Sequence, residues 1–420
     1  MSLIGRAKAF VYELGSLFLL LWVIMFAVFF ADTLCGPVIP YMLKEFLIEE
    51  AAVVAMLGYL QSVFNLVNTI IKIPGSILAD KIARISMVLF SLCIFPINFL
   101  LILFAANSLW ILSSYLFLGI FIGFFMPAIN ALVADLTRKE TRATAFAIFN
   151  LSWITSQIAG PIIGGYLADN LFLRFPPFLA LIISITCPLI LLIRLRSLKI
   201  SRNKEKSEAS LEKPKKENEA PFGITIALLC AAEFFSGLGN GILMPITTAF
   251  LMYALGTSPT EMGLAFSIGW GLATALAQIP GGRLTDKFGA KKVIVGCLLG
   301  ATPLVLIQPL STNVLQFSLI LGIICFIGNL STPAFSAWIA NLIGSERRGK
   351  GYGLTSAAWS TGAIIGPIIG SLTWTMFKPN HFPPFAISAV PFLIELIFIL
   401  LIRNSSKANE IFVKRQVYDA

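Results

Sequence analysis

The chain is 420 residues long, 57% hydrophobic and only 12% charged, with mean hydropathy +0.87 and a formal net charge of +10. A soluble domain carries about 25% charged residues, so this composition cannot clothe a water-exposed globule of this size. Nucleic-acid binding, which needs a solvated basic face, is excluded with it, and the positive charge must be explained by where it sits.

A bilayer core about 30 Å thick takes about 20 apolar residues per helix, and that ruler predicts twelve helices in chain order. The first, 16–40, is too long for a signal-peptide core and lacks a cleavage site, so it reads as a retained helix. It carries Asp32 in its middle, followed by Gly36, Pro37 and Pro40, where helix breaks open backbone carbonyls to a cavity. The second, 52–73, carries Gln61, Asn65, Asn68 and Lys72 at spacings that share one stripe. A polar stripe facing lipid is expensive, so it faces protein or water. Cavity lining and helix contact are both open for the asparagines, and Lys72 either snorkels or pairs with an acid.

The third, fourth, fifth and sixth helices are predicted at 85–105, 109–133, 142–168 and 175–195. Asn130, Asn150 and Gln157 add polar candidates, and the fifth contains SQIAGPIIGG. Next comes a charged stretch nearly free of aliphatic residues, SRNKEKSEASLEKPKKENEAP. Such a segment buries too little surface to fold alone and reads as a linker. The boundaries are therefore 1–195 for a first bundle, 196–221 for the linker, 222–403 for a second bundle and 404–420 for a tail.

The second set of helices is predicted at 222–253, 261–282, 290–310, 313–341, 349–376 and 383–402. In the seventh, Glu233, Ser236 and Asn240 share one face. Asn329, Thr332 and Ser356 are further candidates, while Glu395 falls in the twelfth helix, where a structural role is favoured. The third, sixth and ninth are poor in polar groups, as a lipid-facing ring requires. The six cysteines lie singly in apolar stretches and the one histidine, His381, in a short loop, so neither a metal site nor a disulfide framework is expected.

Orientation follows from Lys and Arg. Of the 31 basic residues, all but Lys44, Lys72, Arg174 and Lys378 fall on one side, which places both termini in the cytoplasm of a cell-membrane protein.

The halves repeat. Pro74, Gly75, Leu78, Asp80 and Lys81 precede Pro280, Gly281, Leu284, Asp286 and Lys287 by a constant 206 residues. Pro127, Trp153, Gly160, Pro161 and Gly164 precede Pro333, Trp359, Gly366, Pro367 and Gly370 by the same offset. With six helices per half the repeat is parallel, about an axis along the membrane normal, and it predicts a cavity between two bundles that rock against each other.

Twelve helices in two similar halves, a long basic linker and GGRLTDKFGAKK after the eighth helix together resemble the major facilitator superfamily. The second-half loop fits the signature through Gly282, Leu284, Asp286, Lys287, Gly289, Lys291 and Lys292, with Arg283 between them. The first-half copy keeps only Leu78, Asp80, Lys81 and Arg84, with Ser76 and Ala83 at glycine positions. The resemblance implies that these loops latch the cytoplasmic side, an aspartate meeting basic residues and a positive helix end. In the fifth helix, Gly160, Pro161, Gly164 and Gly165 resemble the motif of the drug:proton antiporter branch, with Ser156 at its first glycine. IIGPIIGS in the eleventh, with Gly366 and Pro367, copies much of it, so close packing in both halves stands beside an antiporter role. Gly119, Gly123 and Pro127 match that branch's fourth-helix spacing, but Tyr115 stands where it carries arginine.

The expected fold is therefore an all-α polytopic membrane protein with two parallel-repeat six-helix bundles. The expected function is secondary active transport of a small amphipathic or lipophilic organic solute by alternating access, as proton-coupled efflux with Asp32 and Glu233 as the titrating carboxylates. The alternative is a facilitator or importer of a sugar-like or metabolite solute held by Gln61, Asn65, Asn68 and Asn240. No cluster of nucleophile, metal ligands or paired carboxylates supports an enzyme, and no sizeable extramembrane domain supports a receptor. The partners implied are a small-molecule substrate, a proton or other cation and the lipid bilayer, with no cofactor and a monomeric chain.

Overall fold

The computed structural model describes residues 15–137, 141–197, 222–342 and 348–402. Twelve long helices run through the described residues. In the first half α1 spans Gly15–Phe46, α2 Glu50–Lys81, α3 Arg84–Leu103, α4 Ser108–Leu136, α5 Arg142–Asn170 and α6 Phe175–Ser197. In the second, α7 spans Ile224–Ala254, α8 Pro259–Phe288, α9 Ala290–Ile307, α10 Val314–Leu342, α11 Arg348–Phe377 and α12 Phe382–Leu401. Eleven have the length and hydropathy of a membrane span. In α11 a run of Gly, Ser and Thr lowers the hydropathy, yet it packs between α7 and α2. The expected linker yields its first two residues to α6 and otherwise lies outside the described residues, as does the tail.

Every helix from α2 to α12 has a proline inside it, from Pro74 in α2 to Pro391 in α12. Neighbouring helices satisfy the carbonyls that a proline frees within a membrane. Helix α1 does break, between Cys35 and Ile39, where Pro37 lacks an N–H and Pro40 suits the start of the following segment. The break falls one turn after Asp32, as its glycine and prolines predict. Helix α8 carries a π-helical stretch, Ser267–Leu272, a rare form that concentrates at functional sites.

The two halves share one set of neighbours. In the first half α1 packs on α5 and α6, α4 on α2 and α3, and α3 on α6. In the second, α7 packs on α11 and α12, α10 on α8 and α9, and α9 on α12. The repeated glycines allow this. Gly160 and Gly164 of α5 lie against Thr33 and Leu34 of α1, and Gly366 and Gly370 of α11 lie against Leu238 and Ile242 of α7. A Cβ at any of them would overlap the facing helix, the small-residue packing that membrane helices use in place of a hydrophobic drive. The fourth-helix glycines serve likewise: Gly119 meets Val67 and Gly123 meets Ile71 on α2.

Between the halves two interfaces dominate, α2 with α11 and α5 with α8. The repeat exchanges α2 with α8 and α5 with α11, so one interface is the image of the other. Gly58 of α2 rests on the Pro367 carbonyl of α11, and Gly263 of α8 rests on the Pro161 carbonyl of α5. Gly165 does not pack within its own half. It faces Pro259 across the second interface, the position that Ser371 occupies beside Gly58 in the first.

Candidate functional site: the cavity between the halves

A cluster of packed apolar residues joins Val54 and Tyr41 of the first half to α7, α8, α10, α11 and α12, and beside it a cavity of about 540 Å³ opens between the bundles. Asp32 faces it from the turn before the α1 break, flanked by Phe29, Thr33 and Gly36. Helix α2 contributes Leu57, Leu60, Gln61 and Phe64, α4 contributes Tyr115 and Leu118, and α5 contributes Gln157 and Pro161. From the second half come Met244, Pro245 and Thr248 of α7, with Phe266 and Trp270 of α8. Trp270 rides on the π-helical stretch and stacks on Phe266 with ring centroids 4.5 Å apart. The wall is thus largely apolar and aromatic, with one carboxylate and a few amide and hydroxyl groups. Aromatic faces and a carboxylate are the groups that bind an organic cation in a dry site.

Of the eight residues expected at the site, Asp32 and Gln61 line this cavity, and the others fall elsewhere. Asn65 donates from Nδ2 to the Ala363 carbonyl of α11 at 3.1 Å, which makes it an inter-half contact. Asn68 is half-buried and Lys72 exposed, so the stripe leads from the cavity toward the basic end of α2. Asn150 is exposed on α5. Asn240 is exposed and donates to the Ser236 carbonyl of its own helix at 2.9 Å. Glu233 stands apart from Asp32, because α7 reaches the cavity only from Met244 onward, more than two turns later. Its neighbour is the buried Glu395 of α12, with Ser236 alongside.

Other lining residues were missed. Asn98 and Ile102 come from α3, a helix expected to face lipid. Asn98 is 2% exposed with no partner for its Oδ1. A lone asparagine in a span of Phe, Leu and Ile was the available signal. Trp270, within the π-helical stretch, was not singled out from the sequence either.

The cavity is sealed on the face opposite the basic loops. There the Tyr41 hydroxyl donates to the Thr257 carbonyl, and the Thr260 N–H donates to Asp169 at 2.8 Å. Glu50 accepts from Trp374 Nε1 at 2.9 Å and from Lys378 Nζ at 2.6 Å. Deeper in, the Ser62 hydroxyl donates to the Ile364 carbonyl at 2.7 Å. His381 stacks on Trp374 at 4.5 Å and 17°. Burial pushes its imidazole below the ordinary value and Lys378 adds to this, while Glu50 opposes it.

Toward the basic loops the interface helices part. Ile70, Ile73 and Ile77 of α2, Leu276 and Ile279 of α8, and Leu354 of α11 are exposed there. Among the described residues no hydrogen bond or ion pair joins the halves beyond Asn65. Arg84 pairs with Asp135 and donates to the Ala131 carbonyl at 2.9 Å, all within the first half. Of the latch residues, Lys81, Arg283, Asp286 and Lys287 are exposed, Gly282 is half-buried, and the Asp80 side chain lies outside the described residues. Gly289 has φ +84°, which only glycine adopts freely. Its counterpart Ala83 has φ −56°, so the first-half turn needs no glycine.

The profile of the Major Facilitator Superfamily matches residues 21–232 and again 229–416. The chain belongs to this superfamily. It is accordingly a multi-pass membrane transporter and not an enzyme. It is 25% identical over 397 residues to Multidrug resistance protein 2 of Bacillus subtilis, covering 93% of this chain and 96% of that one. To the Quinolone resistance protein NorA of Staphylococcus aureus it is 25% identical over 346 residues, covering 82% and 86%. Its fold matches an inward-facing, occupied bacterial homolog of the human lysosomal transporter Spinster with TM-score 0.71 at 16% identity, covering 92% and 96%. The nucleoside transporter NupG matches with TM-score 0.71 at 13% identity, covering 92% and 99%.

Proposed function

We propose that this transporter is a drug:proton antiporter of the cell membrane that exports amphipathic organic cations by alternating access. Its basic loops and both termini lie in the cytoplasm, and the conformation described above is then inward-facing. The observation that carries the reading is Asp32, the one carboxylate lining an inter-half cavity walled by Phe29, Phe64, Phe266 and Trp270. The printed names of the two bacterial relatives, multidrug and quinolone resistance proteins, support the same substrate class.

The mechanism follows from exclusive occupancy. A carboxylate without a partner in the membrane is costly, so Asp32 holds either a proton or a bound cation. A substrate arriving from the cytoplasm displaces the proton. When the halves rock so that the outer contacts part and the inner loops meet, the substrate leaves outward and a proton returns to Asp32. Tyr115, where the antiporter branch has arginine, puts no fixed positive charge at the cavity wall, which favours cationic substrates. Glu233 and Glu395 lie outside the cavity. The polar set required for a sugar-like substrate does not converge, since of Gln61, Asn65, Asn68 and Asn240 only Gln61 lines the cavity.

The test is flux in proteoliposomes with and without an imposed pH gradient, using lipophilic cations and sugars. Gradient-driven cation movement is expected in the parent protein and at least a tenfold loss in Asp32→Asn, equivalent to about 1.4 kcal/mol. Unchanged gradient-driven flux in both Asp32→Asn and Glu233→Gln rejects carboxylate coupling, and sugar transport in place of cation transport rejects the substrate class.

A further inference from the structure

The repeat makes one difference between the halves conspicuous. In the first half the outer surface where α3 meets α4 is filled by phenylalanine: Phe90 packs edge-on against Phe124 with centroids 5.8 Å apart. Nearby, Phe95 stacks on Phe121 at 4.2 Å, and Phe121 on Phe125 at 4.9 Å. At the constant offset of 206 their counterparts are Gly296 for Phe90, Ala301 for Phe95, Ile327 for Phe121, Leu330 for Phe124 and Ser331 for Phe125. Of these counterparts Gly296, Ile327 and Leu330, together with Leu284 and Phe288, line an open groove of about 380 Å³ among α8, α9 and α10. A Cβ built at Gly296 would meet nothing within 4 Å. Gly296 is therefore not held there by close helix contact, unlike the interface glycines.

The groove also acquires charge at its basic-side end. Lys292 lines it, where the first half has Ser86. Lys287 holds its amine 5.2 Å from the ring of Phe288, itself part of the wall. By contrast the neighbouring Lys291 is engaged, donating to the Leu400 and Ile402 carbonyls at 3.0 and 2.7 Å. Helix α9 starts beside these amines with Gly289 at its cap and no side chain accepting from its first turn. An uncapped helix start with adjacent lysines attracts an anion, and the apolar channel below it suits an acyl chain.

We propose that this groove is a binding site for one anionic phospholipid, its phosphate at Lys292, Lys287 and the start of α9 and an acyl chain along Gly296. Charge complementarity selects the headgroup, since basic pockets at the cytoplasmic membrane surface favour anionic lipid. The missing phenylalanines select the chain. At the matching place the first half keeps Lys81 opposite Lys287 but has Ser86 opposite Lys292 and Phe90 opposite Gly296, and the proposal does not depend on what the transporter carries.

The experiment is native mass spectrometry of the full-length protein with equimolar phosphatidylglycerol and phosphatidylcholine added. The parent protein is expected to retain one phosphatidylglycerol with about fivefold preference over phosphatidylcholine, the factor that one lysine near a membrane surface confers. Gly296→Phe restores the first-half filling and is expected to lose that bound lipid. Lys292→Ser is expected to reduce the preference about fivefold, and Lys292→Arg to keep it. Equal retention of the two lipids by the parent protein overturns the proposal, as does undiminished phosphatidylglycerol retention by Gly296→Phe. Should Gly296→Phe fail to accumulate, the exposed Lys292→Ser decides alone, and unchanged preference there overturns it equally.

Discussion

Glu50 at the start of α2 and Lys378 just past the end of α11 form an ion pair of 2.6 Å that ties the two halves together at the face farthest from the basic loops. The Trp374 indole donates to the same carboxylate at 2.9 Å. The carboxylate side chain is 18% exposed and the lysine 53%, so the pair is screened and contributes about 1 kcal/mol at most. That is still enough to bias two conformations about fivefold. Glu50→Gln is therefore expected to populate the state open on this face. Spin labels at Ile48 and Met376, both well exposed on opposite halves, should gain a longer distance component. An unchanged distribution would show that the pair does not hold the face shut.

The single histidine adds a pH dependence to the same face. His381 lies outside the spans, and in the closed state its imidazole is held below the ordinary value, chiefly by burial. Relative to a state in which the ring is solvated, with a pKa near 6.5, the closed state binds the proton less well. The closed face therefore keeps its stability above that pH and loses it as pH falls through the solvated value. Lowering the pH from about 7.5 to about 5.5 should increase the longer component, and His381→Asn should flatten the response.

Glycines within a half and between halves should differ in what they break. Gly164→Val forces α5 off Leu34 of α1, and overpacking of this kind costs about 1–3 kcal/mol, so it should lower the melting temperature. Gly263→Val instead collides with the Pro161 carbonyl across the α5–α8 interface. It should leave the melting temperature nearly intact while abolishing transport and favouring the state open on that face. If both variants lower stability equally and leave the conformational balance alone, the division of labour is wrong.

The two latch turns should tolerate opposite changes. Gly289→Ala puts a Cβ at φ +84° and should cost about 1 kcal/mol, read as a lower melting temperature. Ala83→Gly, at φ −56°, creates no strain, and its cost should be limited to the added backbone entropy of the unfolded chain, under about 1 kcal/mol. A larger loss at Ala83 than at Gly289 would contradict the backbone assignment.

Much of the architecture was legible because the bilayer imposes its own ruler. Uninterrupted apolar runs and a Gly/Pro register repeated at 206 residues mark spans and duplication without reference to contacts. Even the α1 break was readable from Gly36, Pro37 and Pro40. The cavity lining was legible at Asp32, whereas Glu233, a carboxylate just as costly within the membrane, lies outside it. The Gln61–Lys72 stripe shows the limit. The stripe was expected to meet protein or water as one face, but Gln61 lines the cavity, Asn65 bonds to α11 and Lys72 is exposed. Helical periodicity gives direction around an axis and not the distance to the facing bundle.

The sequence by itself determined that this chain crosses the membrane repeatedly and that its halves are copies. Those properties follow from transfer energies summed over local segments. Tertiary structure alone decided which carboxylate meets the cavity, that the face opposite the basic loops is shut, and that Phe90 fills a cleft which Gly296 leaves open. Each of these depends on how two helices far apart in sequence approach each other, and no local pattern encodes that approach.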